Sequence, residues 1–121
     1  MSARVSGFPE FDPTGRVIEL SILDQARRTF ELHGFTSIET RAVEPLTALQ
    51  AGGETAKEVY AIHRAAGGHE SSEPGLGLHF DLTVPLARYV VEHAHQLDFP
   101  FRRYQIQKVW RGERPQEAVS Y

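Results

Sequence analysis

Ten residues near the end of the chain predict a long β-strand: Phe101-Arg102-Arg103-Tyr104-Gln105-Ile106-Gln107-Lys108-Val109-Trp110. Alternate side chains of a strand share a face, so Tyr104, Ile106 and Trp110 form an apolar face suited to a core. The opposite face is polar and leads to Arg111 and Glu113 at the end of the strand. A guanidinium can bind phosphate oxygens, and a carboxylate can accept from an exocyclic amine. The pattern alone leaves open a solvated strand face with an ordinary ion pair.

A helix is predicted before this strand, over Pro13 to His33. Asp12 is a suitable N-cap, and Pro13 fits the first helical position, where a missing N–H costs nothing. Gly34 stands where a left-handed C-terminal cap belongs. Apolar residues recur at helical spacing and form one stripe, which comprises Ile18, Ile22, Leu23, Ala26 and Phe30.

The remaining pattern predicts an α+β fold with a mainly antiparallel sheet and flanking helices. Three further strands are expected, at Phe35 to Thr40, Val59 to Ile62 and Leu76 to Phe80. Short helices are expected at Pro45 to Leu49 and from Pro85 onward. We expect the helix stripe to pack on a sheet that includes the Phe101 to Trp110 strand, so that replacing Ile22 by Asp unfolds the chain.

Length and composition indicate a single soluble domain. The chain has 121 residues, no cysteine and a formal net charge of −3. The absence of cysteine excludes disulfides and a cysteine nucleophile. No apolar run reaches the roughly 20 residues of a membrane span, and no secretory leader is evident, so a cytoplasmic location is expected. Residues 99–121 carry 5 basic and 2 acidic side chains, which fits a local anion site or a solubilising strand edge.

A second polar group follows the strand predicted at Leu76 to Phe80. Alternation places His79, Asp81 and Thr83 on one face. Asp81 and Thr83 could bind an ammonium group together, or either could cap the helix that begins near Pro85. The six histidines are interpreted as surface residues, because no metal-ligand spacing connects them.

Three stretches of the chain form a distinctive series: Gly52-Gly53-Glu54-Thr55, then Phe80-Asp81-Leu82-Thr83-Val84-Pro85-Leu86-Ala87-Arg88-Tyr89, then Tyr104-Gln105-Ile106-Gln107-Lys108-Val109-Trp110-Arg111-Gly112-Glu113-Arg114-Pro115-Gln116. In their order and spacing they resemble histidyl-tRNA synthetase, a class II aminoacyl-tRNA synthetase. Arg111 to Glu113 is similar to motif 2, which all class II enzymes share. The likeness extends from Gly7 to Gln116.

The resemblance implies a histidine–tRNA ligase, which activates histidine with ATP to histidyl-adenylate and transfers it to the 3′ end of tRNA(His). It implies that Arg111 is the catalytic residue that holds the α-phosphate, and that Glu113 orients the adenine. It implies that Asp81 and Thr83 bind the amino group of histidine. Mg²⁺ would bridge the ATP phosphates, and the full-length enzyme would be a homodimer with no membrane association.

The resemblance also implies how the chain divides. Residues 1–121 would be the N-terminal part of the catalytic domain, with motif 1 at about 34–46 and the first strand of motif 2 at about 101–116. Motif 3 and the anticodon-binding domain are expected to be absent. At Arg41 the family usually has a proline, and this position belongs to the motif that builds the dimer interface.

Two other interpretations stay open. One is a non-catalytic paralogue, the regulatory subunit of ATP phosphoribosyltransferase, which shares the fold but tends to lose the motif 2 residues kept here at Arg111 and Glu113. The other is a structural fragment without activity of its own.

Overall fold

The computed structural model describes residues 5–52, 58–66 and 75–112. Gly53 to Thr55, most of the stretch 65–75, and residues 113–116 with Glu113 lie outside them. The elements in chain order are α1 (Pro13–Leu32), β1 (Thr36–Ser37), β2 (Val43–Pro45), α2 (Leu46–Leu49), a 3₁₀ turn (Gln50–Gly52), β3 (Ala61–Ile62), β4 (Leu76–Leu78), α3 (Thr83–His93), a second 3₁₀ turn (Ala94–Gln96) and β5 (Arg103–Tyr104).

The ends of α1 are set by local chemistry, as the sequence predicts. The Asp12 carboxylate accepts a hydrogen bond from the backbone N–H of Gly15 at 2.8 Å, and Pro13 occupies the first turn. At the other end Gly34 has a φ of +85°, which a residue with a Cβ adopts at a cost. Its N–H donates to the Glu31 carbonyl, and that of Phe35 donates to the Phe30 carbonyl. These two bonds form a Schellman cap.

An antiparallel sheet of three strands, in the order β2-β4-β3, lies at the centre. Gly77 in β4 pairs with Glu44 on one side and with Ala61 on the other. A Cβ at position 77 would lie 2.8 Å from Leu46 Cδ2 and 2.9 Å from the Tyr60 carbonyl oxygen, so only glycine allows the neighbours to approach this closely. Helices and this sheet together confirm the α+β class.

The expected long strand at Phe101 to Trp110 is wrong in extent and in direction. Only Arg103 and Tyr104 pair in a ladder, and they pair in parallel with β1. Beyond Tyr104 a side chain replaces the ladder partner. The Gln107 amide accepts from the Thr40 N–H at 2.9 Å and donates to the Thr40 carbonyl at 2.8 Å. For the same reason the strand expected at 35–40 ends at Ser37.

Ile18 and Ile22 of the apolar stripe of α1 do not pack on the sheet, whereas Phe30 at its end does. Ile18 is 58% exposed and Ile22 is 61% exposed, and no residue of this helix is buried among the described parts of the chain. The last turn contacts Tyr104 of β5. Phe30 stacks on Tyr104 with ring centroids 5.2 Å apart, and the Tyr104 hydroxyl donates to Glu31 Oε1 at 2.6 Å. Two-residue strands offer too little surface to cover a helix of 20 residues.

The core is small and partly polar. Among the described residues, its buried apolar side chains are Leu49, Phe80, Pro85 and Tyr104, and Thr40, Glu44 and His79 are buried with them. The burial of His79 corrects the interpretation of all six histidines as surface residues. None of the helices in the described ranges is long and apolar enough to cross a membrane.

Candidate functional site

Arg111 lies against the backbone that leads into α3. It is exposed, and its Nε donates to the carbonyl of Phe80 at 3.2 Å. Phe80 precedes Asp81 directly, so the structure brings two of the predicted site positions, 81 and 111, to one region. Glu113 lies outside the described residues, so its place beside Arg111 stays a prediction.

Asp81 caps helix α3. Its Oδ1 accepts from the backbone N–H of Thr83 at 3.1 Å and, at 3.4 Å, from that of Val84. This is one of the two roles that the sequence left open for this carboxylate, and it engages one of its two oxygens. Thr83 is exposed in the first turn of the helix. The chain bends at residues 80–82, so strand alternation ends at Leu78. His79 and Phe80, which follow it, are both buried.

His79 joins the sheet to the segment that carries Arg111. Its Nε2 lies 2.7 Å from the carbonyl oxygen of Lys108, and its ring stacks on Trp110 with centroids 5.6 Å apart. Its backbone N–H donates to Ala42 at 2.8 Å, and its carbonyl accepts from the Trp110 N–H at 3.0 Å. The sequence analysis placed His79 on a polar face with Asp81 and Thr83 and gave it no structural role, because strand alternation did not indicate its burial.

A network of amides fixes the neighbouring strand end. Gln105 Nε2 donates to Gln107 Oε1 at 2.8 Å and to the Thr40 hydroxyl at 3.2 Å. Gln107 in turn holds both backbone groups of Thr40. The buried Gln105 Oε1 and His79 Nδ1 have no hydrogen-bond partner among the described residues. Gln105 and Gln107 of the predicted polar face are therefore held by hydrogen bonds inside the protein, whereas Arg111 at the end of that face is exposed.

A cleft of about 610 Å³ opens beside this network. It is lined by Glu39, Thr40, Arg41, Ala42, His79, Ile106, Gln107, Lys108 and Trp110. Asp81, Thr83 and Arg111 are not in its lining. Two lining residues are near them in the sequence, since Trp110 precedes Arg111 directly and His79 lies two residues before Asp81. The contacts of Arg111 therefore define the candidate site better than the cleft does.

A buried ion pair joins helix α3 to strand β2. Glu44 is 1% exposed, and its Oε1 accepts from Arg88 Nε at 2.7 Å. Arg88 also pairs with Glu92 at 2.8 Å, whereas Arg41 reaches Glu44 at 3.4 Å. Burial alone would lower the pKa of Arg88, but the hydrogen bonds and charges of Glu44 and Glu92 outweigh it and raise this pKa. The sequence analysis assigned no role to this pair.

Within the described residues, no three side chains of His, Cys, Asp or Glu lie together as metal ligands. Mg²⁺ was expected only through the phosphates of ATP.

Comparison with known proteins places these features in a family context. No family model matches the chain. A histidine–tRNA ligase of Bifidobacterium longum subsp. infantis is 60% identical over 120 residues, which cover 96% of this chain and 26% of the relative. A histidine–tRNA ligase of Micrococcus luteus is 60% identical over 127 residues. The chain thus spans about a quarter of the length of the curated relatives that it matches.

Solved structures agree with the sequences. The crystal structure of a histidyl-tRNA synthetase from a Nostoc species has a TM-score of 0.80 and 45% identity, and the match covers 93% of this chain and 25% of that one. A Bacillus halodurans protein described as an ATP phosphoribosyltransferase regulatory subunit/histidyl-tRNA synthetase has a TM-score of 0.76 at 22% identity, which supports the fold alone. Together these findings show that the chain is similar, over nearly all its residues, to about a quarter of the length of histidine–tRNA ligases.

Proposed function

We propose that this chain is part of a histidine–tRNA ligase. In the proposed reaction the carboxylate of histidine attacks the α-phosphate of ATP, which gives histidyl-adenylate and pyrophosphate. The histidyl group then passes to the 3′ end of tRNA(His), and AMP leaves. The observation that carries this proposal is the 60% identity with a histidine–tRNA ligase over 96% of the chain.

The proposed role of Arg111 is to hold the α-phosphate. Its guanidinium is exposed and anchored through Nε to Phe80, so the opposite edge of the fork can face a ligand. A guanidinium can donate two parallel hydrogen bonds to phosphate oxygens, and its positive charge stabilises the negative charge that develops in the transition state. Glu113 is proposed to accept from the amino group of adenine.

Asp81 and Thr83 are proposed to bind the ammonium group of histidine. Asp81 is half-buried and fixed by its cap on α3, and this cap leaves its second oxygen for a ligand. Thr83 stands exposed in the same turn. The carboxylate would supply the charge, and the hydroxyl would supply the direction.

The rest of the assignment follows the family. We propose that residues 1–121 are part of a class II catalytic domain, with motif 1 at about 34–46 and motif 2 beginning at about 101–116. Mg²⁺ would enter with ATP, tRNA(His) would be the second substrate, and the compartment would be the cytoplasm. The complete enzyme is proposed to be a homodimer, and Arg41 in motif 1 is exposed where the family usually has proline.

A chimera tests the proposal. This chain replaces the matching stretch of the Bifidobacterium ligase, to which it is 60% identical, and histidine-dependent exchange of pyrophosphate into ATP is measured. We expect a histidine-selective activity that Arg111→Ala lowers by about 10- to 150-fold, the equivalent of ~1.5–3 kcal/mol for a hydrogen bond to a charged group.

Arg16→Ala in α1 is the matched control, because it removes an exposed arginine that pairs only with Glu19 within the described residues. It should leave the exchange rate unchanged. A chimera that folds and elutes like the parent ligase but shows no histidine-dependent exchange would contradict the proposal.

The regulatory-subunit interpretation is the second candidate, favoured by the fold likeness at a TM-score of 0.76. A protein of that kind would bind histidine without consuming ATP. The same chimera separates the two, because histidine binding without exchange is the result that a regulatory subunit predicts.

A further inference from the structure

The hydrogen-bonding pattern determines which nitrogen of His79 carries the proton. Nε2 lies 2.7 Å from the Lys108 carbonyl oxygen, and a carbonyl oxygen can only accept. Nε2 is therefore the donor, and the buried Nδ1 has no hydrogen-bond partner among the described residues. The ring is fully buried, at 0% exposure, so this bond is shielded from competition by water.

The same residue holds the next part of the chain by its backbone. The His79 carbonyl accepts from the Trp110 N–H at 3.0 Å, and its ring stacks on the Trp110 indole. The ring bond to Lys108 and the backbone bond to Trp110 thus clamp residues 108–110 at both ends.

Arg111 follows this clamped segment directly in the chain. Its side chain is exposed, and its Nε donates to the Phe80 carbonyl at 3.2 Å, while the N–H of the following Gly112 donates to Glu58 at 2.7 Å. Phe80 is the neighbour of His79, so one segment holds the backbone before Arg111 and also the guanidinium itself. A long, flexible side chain loses rotamer entropy when a ligand orders it, and a side chain that is already held loses less.

We propose that His79 is a positioning residue for Arg111, in which the Nε2–H bond to Lys108 keeps the guanidinium against Phe80 and ready for phosphate. The proposal rests on the phosphate-binding role proposed above for Arg111. His79 itself does not touch the substrate in this proposal. Its effect passes through the backbone of residues 108–110.

A pair of variants of similar length isolates the hydrogen bond. His79→Gln keeps an N–H donor near the place of Nε2, and His79→Met removes it. His79→Phe also removes the donor but keeps the stack on Trp110, so it replaces the Met variant if that variant does not fold. His93→Met is the matched control, because its ring also bonds a carbonyl, that of Tyr89, at 2.9 Å and stacks on the same residue.

Two measurements are made on the full 121-residue chain. The first is the ¹⁵N NMR signal of the Arg111 Nε–H and its exchange with water. The second is the affinity for ATP, with Arg111→Ala and the double variant His79→Met/Arg111→Ala included. In His79→Met we expect the Arg111 Nε–H signal to shift to that of a solvated arginine, and the affinity for ATP to fall about tenfold. His79→Gln and His93→Met should stay within twofold of the parent chain.

The double variant should bind ATP no more weakly than Arg111→Ala, because His79 acts through Arg111. Equal Nε–H signals in the Gln and Met variants, or additive losses in the double variant, would overturn the proposal, since a purely structural histidine gives those results. If Arg111→Ala leaves ATP affinity unchanged while His79→Met still releases the signal, the phosphate role fails and the positioning role stands.

Discussion

Arg88 and Arg41 both pair with the buried carboxylate of Glu44, but we expect them to contribute very differently to the stability of the fold. Arg88 keeps 19% of its side chain exposed and lies 2.7 Å from Glu44, whereas Arg41 keeps 55% exposed and lies 3.4 Å away. We expect Arg88→Ala to be strongly destabilising and Arg41→Ala to be nearly silent. Both variants remove one positive charge, so net charge cannot explain a difference between them.

The magnitude follows from burial. Removing one partner of a buried ion pair costs about 3–5 kcal/mol, because the other charge is left without a partner. Arg41 stays close to the carboxylate and Arg88 keeps some contact with water, so the lower end of the range, about 3 kcal/mol, applies. A half-exposed pair such as Arg41 with Glu44 contributes about 0–1 kcal/mol. A domain of this size has a total stability of about 5–15 kcal/mol, so the first loss is a large part of the whole.

Urea unfolding followed by the fluorescence of Trp110, the one tryptophan of the chain, measures both variants. With a slope of about 2 kcal/mol per molar urea, Arg88→Ala should lower the midpoint by about 1.5 M, and Arg41→Ala by less than about 0.5 M. The double variant Glu44→Leu/Arg88→Met should recover most of the loss, because it removes both charges. Equal midpoints for Arg88→Ala and Arg41→Ala would refute the reasoning.

Three further outcomes are expected. Gly77→Ala should cost about 1–3 kcal/mol in a urea titration, because its Cβ meets the Tyr60 carbonyl at 2.9 Å, and an unchanged midpoint would contradict the close packing. Ile22→Asp should cost only about 0.5–1 kcal/mol, since Ile22 is 61% exposed, and loss of the folded signal would show that its face is covered in solution. The hydrogen bond to Glu31, and then burial, raise the pKa of Tyr104. The protonated hydroxyl of Tyr104 should therefore stabilise the fold fully below the usual tyrosine pKa, and this stabilisation should be lost as pH rises through the higher pKa of the folded protein. Tyrosinate absorbance during a pH titration, compared between the parent chain and Tyr104→Phe, measures that pKa.

Part of the candidate site could be predicted from the sequence, because residues that are close along the chain carry it. Asp81 and Thr83 are two residues apart, and the cap that Asp81 forms on α3 is a local interaction that residue type and position predict. The resemblance to motif 2 at Arg111 to Glu113 rests on the order of residues alone, and the roles that it implies stay predictions. That Arg111 lies against Phe80, 31 residues away, could not, since nothing local determines which backbone a distant guanidinium meets.

The sequence by itself determined α1 almost to the residue. Helix hydrogen bonds join residues four apart, and the caps at Asp12 and Gly34 are local. Only the tertiary structure decided the strands and the buried faces. A strand has no bonds of its own, and here the amide of Gln107 competes with a ladder for the backbone of Thr40. Burial depends on which surfaces meet, so His79 and Glu44 lie in the core while Ile18 and Ile22 of α1 stay exposed.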